Sequence, residues 1–189
     1  GLQAGRFSQM DYSIAIGAEA AEESQSANAI AIGRTAGHQR QGIDSISIGN
    51  AAGYQDQSGG SIAIGYNAAS VTQDPSSVAI GYQAGEQSQG SNAITIGSYA
   101  GQTQQQGEAI AIGVKAGQTR QETDTVAIGR LAGNSRMRRE AVAIGGQAGE
   151  TNQAESAIAI GKEAGNQDQQ TRAIAIGKEA GKDDQQSNA

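Results

Sequence analysis

The chain has 189 residues, a formal net charge of −6 and no cysteine, which excludes a disulfide framework and thiolate metal sites and disfavours nonspecific nucleic-acid binding. Only 3% of residues are aromatic, with no Trp and one Phe against 28 glycines, too few large groups to fill the core of an ordinary compact domain. No apolar run approaches the ~18 residues of a membrane span, so no direct insertion by this segment is expected.

A period of sixteen residues takes the place of a compact core. Gly1 and Gln9 already stand in phase with it, so the first residues read as a partial coil. The first full repeat opens at Ile14-Ala15-Ile16, and Ile-Gly then recurs eleven times without insertion or deletion, from Gly17 to Gly177. The residue before each glycine is Ile16, Ile32, Ile48, Ile64, Ile80, Ile96, Ile112, Ile128, Ile144, Ile160 and Ile176. Ile or Val stands two residues earlier, and a small residue lies between, usually Ala, with Ser47 and Thr95 as exceptions. Alternating large and small residues have the two-residue period of a strand, and β-branched side chains suit it. The two large columns are expected to point inward together as the structural core. The opposite Ala/Ser face is then the flat outer surface for packing against neighbouring chains.

After each strand the chain must turn. The Ile-Gly glycine recurs at every corner, and a second glycine follows four residues on in most repeats (Gly37, Gly53, Gly85), a sign of positive φ or close backbone approach. Ala21 and Ala69 replace it in two repeats, which predicts that this corner does not require positive φ. The alanine just before it, Ala20 through Ala180, implies a tight inward slot. Eight residues past the Ile-Gly glycine come Gln25, Gln41, Gln57, Gln73, Gln89, Gln105, Gln121, Gln153, Gln169 and Gln185, with Met137 as the one exception. So strict a phase predicts a buried or laddered amide column. Its variable neighbours are expected to face solvent.

Few residues break the pattern. His38 is the single histidine, with no second one to share a metal, and is expected to be a solvated side chain. Tyr66 and Tyr82 share a phase in successive repeats, with Tyr54 and Tyr99 nearby, and their stacked rings offer amphipathic contact area. Arg136, Arg138 and Arg139 flank Met137, with Arg120 and Arg130 upstream. Glu163 and Glu179 are one repeat apart beside Lys162 and Lys178, a pattern of ion pairs more than of acid–base catalysis. There is no calcium loop or phosphate-binding glycine motif, and no base placed to activate a serine. The expectation is a non-enzyme with no cofactor and no metal.

The motif Ile/Val-Ala-Ile-Gly-x-x-Ala-Gly, with Ser77-Val78-Ala79-Ile80-Gly81 as its fullest form, resembles the head repeats of YadA-like trimeric autotransporter adhesins over essentially the whole chain. Very similar repeats occur in fibre and tail proteins of giant viruses and bacteriophages. The resemblance implies a left-handed parallel β-roll, three chains side by side as a homotrimer, and an extracellular place on a virion, a phage fibre or a bacterial cell surface. Residues 1–189 then form a single repeat domain of about eleven coils plus a partial N-terminal coil, cut from a longer fibrous protein. The expected function is adhesive attachment to a host or surface, with a passive rigid spacer as the alternative and an ice-binding solenoid as a remote one. A partner other than itself would be a host glycan or extracellular matrix polymer, met at Tyr66, Tyr82, Arg136, Arg138 and Arg139, and not a nucleic acid.

Overall fold

In a computed structural model, which describes residues 1–189, the chain is an all-β solenoid with no helix. Each coil contributes a three-residue strand to an eleven-stranded parallel sheet that runs from Ile14–Ile16 to Ile174–Ile176. Every pairing is offset by sixteen residues, as in Ile14 on Ile30 and Val126 on Val142. Opposite this sheet the glutamine segments stack in the same register. Gln39–Gln41 pairs with Gln55–Gln57, and Gln87–Gln89, Thr103–Gln105 and Thr119–Gln121 form a three-stranded sheet. Single bridges such as Gln57 to Gln73 and Met137 to Gln153 carry that register through other coils. Two strands per coil is thus an upper limit, reduced in places to one strand and a bridge.

The alternation of the strands is as expected, but the faces are reversed. Ile and Val of both large columns lie on one face, and that face points outward. Ile96 is 37% exposed and Ile144 36%, rising to 57% at Ile16 and 65% at Ile176, where the end coils lack a neighbour on one side. The core assignment made for Ile16, Ile32, Ile48, Ile64, Ile80, Ile96, Ile112, Ile128, Ile144, Ile160 and Ile176 is therefore corrected: none of them is buried. Buried instead are the small residues between them, Ala31, Ala63, Ala111 and Ala143, each fully enclosed. Ala36, Ala84 and Ala132 of the second corner are equally buried, and so are Ser45, Ala93 and Thr125 just before the strand. The reason is volume. A sixteen-residue coil encloses a narrow lumen, which three small side chains and one glutamine fill, and two isoleucines per coil would overpack it.

The turns use backbone conformations that few residues tolerate. The Ile-Gly glycine sits at φ +119° to +135°. A Cβ at Gly97 would lie 2.6 Å from the carbonyl oxygen of Gly113 in the next coil, so two constraints hold this column to glycine. The second corner also requires positive φ, against expectation: Ala21 and Ala69 adopt φ +47° and +45° there, a left-handed conformation that is costly for an L side chain.

Inside, each glutamine crosses the lumen. Gln73 donates from Nε2 to Ile62 O at 2.9 Å and Ser77 O at 3.2 Å, tying the second strand to the long sheet. Runs of amide-to-amide bonds join Gln57 to Gln73 and Gln73 to Gln89 at 3.2 Å each, so the column is both a cross-brace and a ladder. The two polar exceptions of the strand are absorbed by it: Ser47 bonds Gln57 Oε1, and Thr95 Oγ1 accepts from Gln89. Met137 interrupts it, fully buried, with Gln121 Nε2 at 3.6 Å from its sulfur.

Candidate binding surfaces

The turn after the long-sheet strand carries the tyrosines. Tyr66 and Tyr82 stack with ring centroids 5.2 Å apart and planes 10° from parallel. Tyr99 meets Tyr82 edge-on, also at 5.2 Å, so the pair extends into a row of three. The Lys115 ammonium lies 6.0 Å over the Tyr99 ring. The adjacent Tyr99 phenol, through charge and hydrogen bonding, raises the pKa of Tyr82 above its ordinary value. Tyr99 sits one residue off the phase of Tyr66 and Tyr82, which hid it from column reading. Tyr54 belongs elsewhere: its ring stacks on His38 at 4.8 Å.

His38 is not a solvated side chain. It is 12% exposed, stacked on Tyr54, and its Nε2 lies 3.1 Å from Glu22 Oε2. Glu22 also takes Arg6 at 3.3 Å. Glu19 completes a group whose ligand-type atoms all lie within 4.8 Å of one another. Because Glu22 is shared by two basic partners, the group is an internally paired cluster. A second such cluster centres on Glu163, which accepts from Lys182 at 2.7 Å and pairs with Lys162 at 3.2 Å. Those contacts, Lys182 first, hold its pKa below the ordinary value. Glu179 pairs with Lys178 at 3.1 Å, so both carboxylates are engaged by lysines, with Lys182 the partner that sequence order hid.

The arginines occupy a different corner, beside the second strand. Arg136 and Arg138 line a cavity of about 430 Å³ with Asn152, Asp168 and Gln170. Arg136 also lines a cavity of about 320 Å³ with Arg120, Gln104 and Thr119. Arg120 continues into one of about 510 Å³ with Ser88 and Gln106, and these two line a fourth of about 380 Å³ that reaches Thr72. Each cavity shares at least one lining residue with the next, Arg136 alone joining the first two, so they follow one another along this corner as a shallow polar groove. Arg139 stands outside it, its guanidinium 3.3 Å from Glu140. The tyrosine row and the arginine groove therefore lie at separate corners of the coil.

Comparisons with protein-family models, with curated proteins and with solved structures each find no match.

Proposed function

We propose that this chain is a segment of a surface-displayed fibre, a rigid rod that packs side by side as a homotrimer and mediates attachment. The observation that carries the reading is the outward isoleucine face. Eleven strands, each three residues wide, make a flat apolar strip on the order of 500 Å², from about 4.8 Å between strands and about 3.3 Å per residue. Contiguous apolar patches beyond a few hundred Å² mark interaction sites on soluble proteins. Its occupant is a second and third copy of the same face, because identical columns in identical register complement one another along the whole length. The trimer, the left-handed roll and the placement on a virion, phage fibre or bacterial surface follow the resemblance of the repeat to YadA-like heads.

Light scattering at micromolar concentration tests assembly. The wild type should have three times the chain mass, and an Ile112→Asp/Ile128→Asp variant should be a folded monomer, since both residues face outward. A wild type that is monomeric would refute the reading. A passive spacer is the second reading, favoured by the interchangeability of the coils. Deleting whole sixteen-residue units separates the two: a spacer retains binding by its neighbouring domains, whereas an adhesive rod loses binding when particular coils go.

A further inference from the structure

We infer that the groove beside the second strand binds an extended anionic polysaccharide, with Arg120, Arg136 and Arg138 as its anion contacts. This rests on the adhesive reading of the rod and names the ligand class and the site. Arg120 and Arg136 occupy the same position in successive coils, so they stack one interstrand spacing apart, about 4.8 Å. Like charges directly opposite one another on paired strands destabilise the pairing. Elsewhere in this column the fold neutralises such a charge: Arg40 pairs with Asp56 of the following coil. At Arg120, Arg136 and Arg138 it does not, and none of the three forms an ion pair.

The cavity that Arg120 and Arg136 share has no carboxylate in its lining, whereas Asp168 and Asp184 line the one beside Arg138, and Glu122 and Asp74 the ones towards Thr72. Glu122 Oε2 accepts the backbone N–H of Arg139 at 3.1 Å, Glu140 takes the Arg139 guanidinium, and Asp168 accepts from Asn152 at 2.7 Å. Arg136 has only the neutral amide oxygen of Asn152, at 3.3 Å. In a chain of net charge −6, the carboxylate-free stretch between Arg120 and Arg136, with Arg138 beside it, forms an acceptor for anionic groups of a polymer, and guanidinium forks suit sulfate and carboxylate. Gln104, Gln106, Thr119 and Gln170, also in the lining, offer amides and hydroxyls to sugar hydroxyls. A nucleic acid fits less well, because no aromatic side chain lines the groove to stack a base. The polymer lies along the axis, so successive coils contact successive sugars and weak contacts sum by multivalency.

The test measures binding of the assembled rod to immobilised heparin, polygalacturonate, neutral dextran and single-stranded DNA, over a range of salt. Wild type should bind heparin or polygalacturonate, not dextran, with affinity falling as salt rises. Arg120→Ser/Arg136→Ser/Arg138→Ser should weaken that binding by about tenfold or more, as three modest contacts would, with unchanged assembly mass and melting. Arg34→Ser/Arg130→Ser/Lys178→Ser makes the same charge change at the opposite corner of the coil, where none of the three lines a cavity, and should bind as wild type does. Equal loss in both variants, tighter binding to DNA, or no binding to either acidic polysaccharide would overturn the inference. The adhesive reading is scored apart from this by coil deletion against whole target surfaces: a rod that adheres there yet ignores acidic polysaccharides keeps the first reading and loses this one.

Discussion

Replacing Met137 by glutamine should stabilise the rod by about 1 kcal/mol. In the following coil Gln153 donates to Val142 O at 2.7 Å and Ala157 O at 3.0 Å. An amide at position 137 would meet the equivalent carbonyls of Val126 and Ala141. It would also place an amide donor beneath Gln153 Oε1, which is buried without a partner. Satisfying a buried acceptor recovers about 1–3 kcal/mol, and the two accompanying bonds add about 0.5–1.5 kcal/mol net each. Against this stand about 1 kcal/mol for the lost apolar end of the methionine and about 1–3 kcal/mol for desolvating a primary amide. The reverse change, Gln73→Met, removes the donor to Gln89 Oε1 and the acceptor of Gln57 Nε2, and should cost about 2–4 kcal/mol. Thermal unfolding followed by circular dichroism, at fixed protomer concentration, reads both changes; about 1 kcal/mol moves the midpoint of a chain this long by roughly 2–4 °C. A lowered midpoint for Met137→Gln, or a neutral Gln73→Met, would refute the cross-brace account of the glutamine column.

Ala111→Glu should abolish folding of the single chain, not merely assembly, because Ala111 is fully enclosed within the coil and an unpaired charge there has no escape; the circular dichroism spectrum of the variant checks this. Gly97→Ala, at φ +129° with its new Cβ 2.6 Å from Gly113 O, should cost more than about 3 kcal/mol, read as loss of soluble protein or a collapsed melting midpoint. Ala69→Gly should gain up to about 1 kcal/mol in urea unfolding, since glycine takes φ +45° without the strain that alanine bears. Glu163 has its folded pKa lowered from 4.5 by Lys182 and then Lys162, so its contribution is present above about pH 4.5 and lost as pH falls through the folded value. Lys182→Gln should move the Glu163 titration, followed by carboxylate NMR, back towards 4.5.

The period, the strands and the buried glutamines were legible because each is a property of columns. Which face of Ile-Ala-Ile turns inward was not legible from alternation, since a period of two assigns residues to faces without saying which face is covered. Hydrophobicity pointed to Ile; the deciding signal was size. The positions of Ala111, Ala116 and Ala109 never hold anything larger than threonine in any coil, the mark of a lumen wall. The same reasoning had already placed the corner alanine inside. The contacts of Tyr99 with Tyr82 and of Lys182 with Glu163 were not legible because they run between different columns. Arg120 stood out only once the second strand set it directly beneath Arg136 with no counter-charge.

The direction of the backbone bonds has a mechanical consequence. Gly33 N–H to Ile16 O, Gly37 N–H to Ala52 O and their equivalents all join one coil to the next, so tension applied between the ends loads the coils in series. A lone chain then yields by peeling its terminal coil. Each event releases sixteen residues of contour, roughly 55 Å at full extension, against the roughly 5 Å that the coil occupied along the rod. The expected trace in a pulling experiment is a sawtooth of nearly uniform teeth about 50 Å apart. If the isoleucine strip is covered by the proposed second and third copies, the response changes, because a coil then detaches only by tearing its two large side chains from the neighbouring strips. Lateral packing would thus convert an extensible tether into a stiff strut.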